Sequence, residues 1–285
     1  MGAFFETLPP SLVDWLLAQR VLYVASAPLS GDGCVNVSPK GITDKGGPFF
    51  GVLREPKKNP DDKDVIKKFW YVDLSGSGIE TTSHLHEPGN GRITVMFNAF
   101  EGPPRILRIY GKGTPLEYGT KEFNDLVKSE NLKLINGTRS IIMVDIHQVG
   151  TSCGFSVPTY EWTGYRTTLH DFFDKKVACE EEGNRKEGIE VYWAFKNAWS
   201  MDGLPGLKRG VQTGITDSVK PIKKMVGKYA PIGGPRMPRK VYTANQLILV
   251  SMLSSLLSVL MVLVALMVYG TDTLETTKVW IKSRS

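Results

Sequence analysis

The 285-residue chain has little of what sulfur and metal chemistry needs. Its three cysteines, Cys34, Cys153 and Cys179, are scattered and form no CxxC pair. That spacing excludes a disulfide framework and a zinc-ribbon pattern, and it points to a reduced compartment. The four histidines show no HExxH spacing, and His84 and His86, two apart, would leave a helix in different directions. No metal site is expected. The opening MGAFFETLPP has neither a basic stretch nor a long apolar core, so no secretory signal is read there. Glu6 stands where a myristoylation pattern needs Ser or Thr. The folded part also lacks a basic surface. Residues 219–285 carry +8 against +6 for the whole chain, which leaves about −2 on residues 1–218. A nucleic-acid binder concentrates positive charge on its domain, so no nucleic-acid partner is expected.

What the chain does have is one long apolar run near its C-terminal end. No charged residue occurs between Lys240 and Asp272, and roughly 20 apolar residues are enough to cross a bilayer. The serines at 251, 254, 255 and 258 are compatible, because a helix lets hydroxyls bond back to its own carbonyls. Tyr242 and Tyr269 fall where aromatic side chains favour the interface. Ahead of the run, 219–240 holds seven basic residues and no acid, while 271–285 holds three basic and two acidic residues. The positive-inside rule then puts the N-terminal side in the cytosol. The expected plan is a globular domain at 1–207, a basic Pro/Gly-rich linker at 208–243, a transmembrane helix at 244–270 and a short tail at 271–285. This is the layout of a tail-anchored, single-pass membrane protein. The linker sets topology and offers charge to anionic lipid.

The first two hundred residues read as strand upon strand. Val21–Ser26, Cys34–Pro39, Phe49–Leu53, Phe69–Leu74, Arg92–Phe100, Arg105–Gly113 and Arg139–Gly150 are closely spaced apolar runs separated by turns, the pattern of an antiparallel sheet or barrel. Helices are predicted after Pro10, with Ser11 and Asp14 at capping-box spacing, and at 121–129, 165–178 and 187–198. The fold class is α+β.

One turn stands out, DLSGSGIETTSHL at 73–85. Ser77 and Glu80 have the S-x-x-E spacing of a capped helix start. The backbone N–H groups of Gly78, Ile79 and Glu80 would then point outward as an anion site, and Gly76 and Gly78 would let a phosphate approach. The plain alternative is a capped turn with no ligand. A dinucleotide fingerprint, GxGxxT with Glu101 as the ribose carboxylate, is disfavoured by the missing third glycine and by the strands that follow.

The runs YVASAPLSGDGCVNVSPKG, WYVDLSGSGIETTSHL, GRITVMF, AFEGPPRILRIYGKG, VGTSCGFSVP and VYWAFKNAWSMDGLPGL resemble the pyridoxamine 5′-phosphate oxidase-like family, in a branch seen in fungi and bacteria. The resemblance spans residues 1–207. It implies an FMN-binding split β-barrel with flanking helices, acting as a homodimer with FMN at the dimer interface. Some relatives bind other flavin-like cofactors or haem. Carried onto this chain, it implies Val37, Ser38, Pro39 and Lys40 along the flavin ring. It implies Ser75, Ser77, Gly78, Thr81 and Thr82 around the phosphate, with Arg105, ahead of Arg108, adding positive charge. The family's basic, His-containing substrate motif has no match here beyond Arg166 and His170. The expectation is therefore a membrane-tethered, FMN-binding oxidoreductase-like protein acting on a small molecule that the sequence does not name. The alternative is a flavin- or haem-binding module without turnover.

Overall fold

The computed structural model describes residues 2–57, 59, 64–228, 230 and 244–282. Among the described residues, eight strands carry the domain: β1 (Ala3–Phe5), β2 (Val21–Ser26), β3 (Asn36–Gly41), β4 (Phe50–Arg54), β5 (Ile66–Leu74), β6 (Arg92–Asn98), β7 (Ile106–Glu117) and β8 (Thr138–Ser152). They form one antiparallel sheet in the order β3-β2-β6-β7-β8-β5-β4, with β1 added along β8. The helices are α1 (Val13–Leu17), α2 (Glu80–His86), α3 (Lys121–Ser129), α4 (Thr168–Glu181), α5 (Ile189–Asn197), α6 (Lys208–Thr216) and α7 (Ala244–Lys282). An antiparallel sheet flanked by helices is the expected α+β split-barrel architecture. Its strictly antiparallel pairing rules out the doubly wound dinucleotide fold.

The strands form where side chains alternate. On β2, Leu22 and Val24 are buried while Val21 and Tyr23 are only partly so, which is the period of a half-buried strand. These residues meet Ile93, Val95 and Phe97 from β6 and Leu107 and Ile109 from β7. Phe97 packs edge-on against Phe69 of β5, with ring centroids 5.8 Å apart, a favoured aromatic geometry. β5 instead keeps five consecutive residues buried, Phe69 through Asp73. Both of its faces are covered, and the last of the five is a carboxylate.

Two register shifts bend the sheet. Between Tyr110 and Gly111 the pairing slips past His147. At Gly111 a Cβ would run into the Asp145 carbonyl, so only glycine fits the bulge. Between Asp73 and Leu74 the pairing jumps from Ser140 to Thr138, so Arg139 is the extra residue of a second bulge.

Several local expectations change. The helix after Pro10 begins as a 3-10 turn, and α1 has Leu12 rather than Ser11 at its N-cap, with no side-chain cap bond. The predicted helices at 165–178 and 187–198 lie at Thr168–Glu181 and Ile189–Asn197. Residues 208–216, read as linker, form α6, which lies so close to α5 that a Cβ on Gly210 would meet the Trp193 carbonyl. β1 was not anticipated.

The chain falls into two compact units, Met1–Arg239 and Lys240–Ser285. Within the second, Leu247–Met267 is a 21-residue helical stretch long and apolar enough to cross a membrane, and its side chains are exposed. Tyr242 and the linker residues 231–243 lie outside the described residues.

Replacing Gly111 with Ala is expected to destabilise the domain by roughly 2 kcal/mol or more, the range for overpacking. Gly41→Ala, where a Cβ meets nothing within 4 Å, should change stability by less than about 0.5 kcal/mol. Thermal melts of the two full-length variants in detergent compare them directly.

Candidate functional site

Asp73, at the end of β5, is 1 % exposed and carries two cations. Lys40 Nζ of β3 donates to its Oδ1 at 2.7 Å, and Arg139 Nε donates to its Oδ2 at 2.8 Å. Burial pushes this carboxyl up, but Arg139 and Lys40 outweigh burial and hold it at about 2. The cluster therefore carries one net positive charge at neutral pH. The second bulge explains the geometry, since the extra residue in a ladder is re-aimed out of the strand's alternation. Arg139 also donates through Nη1 to the Gly78 carbonyl at 2.6 Å, which ties the cluster to the glycine turn.

The turn is held from its other side by α5. Trp193 Nε1 donates to Ser75 Oγ at 2.7 Å, and Asn197 Nδ2 donates to the Gly76 carbonyl at 2.9 Å. Gly206, in the DGLPGL run, lies so close that a Cβ would meet the Asn197 carbonyl and Ile79. A buried chain below the turn, Ser26 Oγ to His84 Nδ1 at 2.9 Å and His84 Nε2 to Asp202 Oδ2 at 3.0 Å, pins the same run to α2 and β2. Two motifs more than a hundred residues apart thus build one corner.

Beside this corner lies a cavity of about 610 Å³, within the usual range for ligand sites. Its lining brings together β3 (Asn36, Ser38, Pro39, Lys40), the turn (Ser75, Gly76, Gly78, Glu80, Thr81), Arg139, and a segment carrying Trp162, Tyr165, Arg166 and His170. Asn36 Nδ2 donates to Ser38 Oγ and Thr81 Oγ1, at 3.1 and 3.3 Å. Arg20 stacks 4.6 Å over the Trp162 ring and pairs with Glu101, so Glu101 serves an ion pair where the dinucleotide reading made it a ribose ligand.

Of the ten residues singled out in the sequence, Ser38, Pro39, Lys40, Ser75, Gly78 and Thr81 line this cavity. The other four lie elsewhere. Val37 is 62 % exposed and does not line the cavity. Ser77 is exposed and caps nothing: Ile79 holds the N-cap of α2, with no side-chain cap bond. Its expected partner Glu80 accepts from Met201 N instead, at 3.2 Å. Thr82 is fully buried, and its hydroxyl has no hydrogen-bond partner. Arg105 lies 5.3 Å over the Trp15 ring, and Arg108 bonds Ser152 at 3.4 Å. The cation that does reach the turn, Arg139, was missed. An arginine heading the apolar run SIIMV was a usable signal, since an arginine in a buried strand needs a carboxylate.

The chain is similar to a curated protein, the pyridoxamine 5′-phosphate oxidase family protein ustO of Aspergillus flavus, 37 % identical over 219 residues, covering 73 % of this chain and 78 % of that one. The chain belongs to the pyridoxamine 5′-phosphate oxidase family. No family model matches it. Among solved structures, HupZ of Group A Streptococcus is similar at 14 % identity and a TM-score of 0.32, covering 50 % of this chain and 92 % of that one. The FAD binding protein of Mycobacterium smegmatis is similar at 11 % identity and a TM-score of 0.32, covering 51 % and 96 %. At these scores neither structure bears on the assignment, which rests on the sequence relative.

Asp73 makes acid sensitivity predictable. Its folded pKa lies below its ordinary 3.8, so its contribution to stability is complete above that value and fades as pH falls toward 2. The contribution is on the order of 2 kcal/mol. Asp73→Asn, which leaves Lys40 and Arg139 unpaired, is expected to cost about 3 kcal/mol at neutral pH. The variant should also lose part of the pH dependence between about 4 and 2. Chemical denaturation at pH 7, 4 and 2.5 measures both effects.

Proposed function

We propose that this family member is a membrane-tethered flavoprotein that binds FMN in the 610 Å³ cavity. The observation that carries the reading is the cationic corner: Lys40 and Arg139 share the single carboxylate of Asp73 beside a glycine turn and three side chains able to hydrogen-bond, Ser38, Asn36 and Thr81. The residues present fit a phosphate. A guanidinium and an ammonium with surplus charge, backed by hydroxyls, are the donors such a group needs. Ser38, Lys40, Gly76, Gly78, Thr81 and Arg139 would hold it. Trp162 and Tyr165 offer aromatic surface in the same cavity to a planar ring. Family membership supports the reading, since the relative ustO is named a pyridoxamine 5′-phosphate oxidase family protein.

When bound, the flavin supplies the hydride chemistry. The chain's part is to orient the cofactor and to supply a polar wall for a small substrate through Arg166 and His170. His170 Nδ1 lies 3.4 Å from Thr43 Oγ1. Leu247–Met267 would anchor the domain at a membrane with its N-terminal side in the cytosol, and two copies would complete the flavin site.

Full-length protein purified in detergent is expected to show a flavin spectrum near one FMN per chain, or to take up added FMN. A Soret band would favour the haem reading. No chromophore and no uptake would overturn both. Photoreduction followed by re-oxidation with an acceptor panel separates an oxidoreductase from a carrier. Ser38→Asp puts a carboxylate into the cavity and is expected to weaken FMN by roughly tenfold or more. Ser77→Asp, outside the cavity, should stay within about twofold of the parent. Equal effects of the two would refute the placement of the phosphate.

A further inference from the structure

Glu80 is out of place in an anion site. It lines the cavity beside Gly76 and Gly78, and a Cβ on Gly78 would collide with its carboxylate. An uncompensated carboxylate there would repel the phosphate that the turn is proposed to hold. The compensation comes from a distant part of the sequence. After α6 the chain runs back over the domain: Val219 N donates to the Gly214 carbonyl at 3.0 Å, and Ile222 N donates to the Phe195 carbonyl of α5 at 2.9 Å. This route delivers Lys224 to Glu80, with Nζ 3.6 Å from Oε1. The two side chains are 13 % and 12 % exposed. Glu80 is the acid that Lys224 Nζ faces, and burial depresses the lysine's pKa while Glu80 opposes that shift. A lysine held this way is there for its charge, because its desolvation is offset only by the acid it faces.

We propose that residues 219–228 form a strap along α5 that reaches the cofactor cavity only through Glu80, and in which Lys224 is a positioning residue that neutralises Glu80 and so makes the Gly76–Gly78 turn receptive to an anion. The proposal rests on the phosphate reading of that turn. It assigns part of the cofactor site to the segment that leads toward the apolar helix, a stretch whose basic residues otherwise read only as a topology signal. Loading of the cavity and docking of the strap are then coupled, each favouring the other.

The test uses the full chain in detergent. Lys224→Gln leaves Glu80 without its cation, held only by the Met201 N–H, and is expected to weaken FMN by roughly tenfold. Glu80→Gln/Lys224→Gln, with neither charge, should recover to within about threefold of the parent, and Lys224→Arg should bind like the parent. A purely structural lysine would give no recovery in the double variant, and that result overturns the proposal, as does unchanged affinity in Lys224→Gln. A second readout needs no cofactor. In Glu80→Gln the strap loses its electrostatic hold, and trypsin cleavage after Lys223 and Lys224 should accelerate at least fivefold, whereas an unchanged rate refutes the docking. If the parent takes up no FMN, the flavin reading fails, and the cleavage rate still decides the strap.

Discussion

The buried carboxylate of Asp73 is the point on which the site depends. Taking a carboxylate out of water is costly unless cations meet it directly, and here two do, from different strands and at hydrogen-bond distance. Lys40 comes from an edge strand and Arg139 from a central one. Their shared partner therefore ties the edge of the sheet to its middle and fixes where β3 lies over the glycine turn. Two cations on one anion leave positive charge at the wall of the cavity. The same interaction that stabilises the corner thus makes it attractive to a phosphate.

Around that charge the protein spends its second motif. The long run from Val191 to Leu207 contributes no side chain to the cavity wall. It grips the turn from behind through Trp193 and Asn197, and it locks itself to α2 through Asp202 and His84. Residues that hold a binding loop in place matter as much as those that touch a ligand, since a loop held to a fraction of an ångström presents its donors without further ordering. This gives a physical reason for two motifs so far apart in the chain to occur together.

The sheet was legible because period-two alternation on β2, β6 and β7 survives in the residues themselves. The apolar helix was legible from length alone. The region of the site was also legible: Ser38, Lys40, Ser75, Gly78 and Thr81 all reach the cavity. What escaped the sequence depends on register and on long-range contact. Arg139 reaches the site only because the ladder slips by one residue between Asp73 and Leu74, and no local pattern announces a bulge. Ser77 has ideal capping spacing but loses its role because Glu80 is drawn to Met201 and Lys224 instead. α6 was hidden by the two Gly and two Thr residues in KRGVQTGIT. Packing against α5 outweighs its weak helix propensity.

One corner, built from β3, the glycine turn and Arg139 and backed by the strap through Glu80, is proposed to receive an anionic flavin. Hydrogen–deuterium exchange on the full chain, with and without FMN, tests it most directly. Added FMN is expected to slow exchange together in peptides covering 36–41, 75–81 and 219–228, with little change in β6. Protection confined to other regions, or none at saturating FMN, would contradict it.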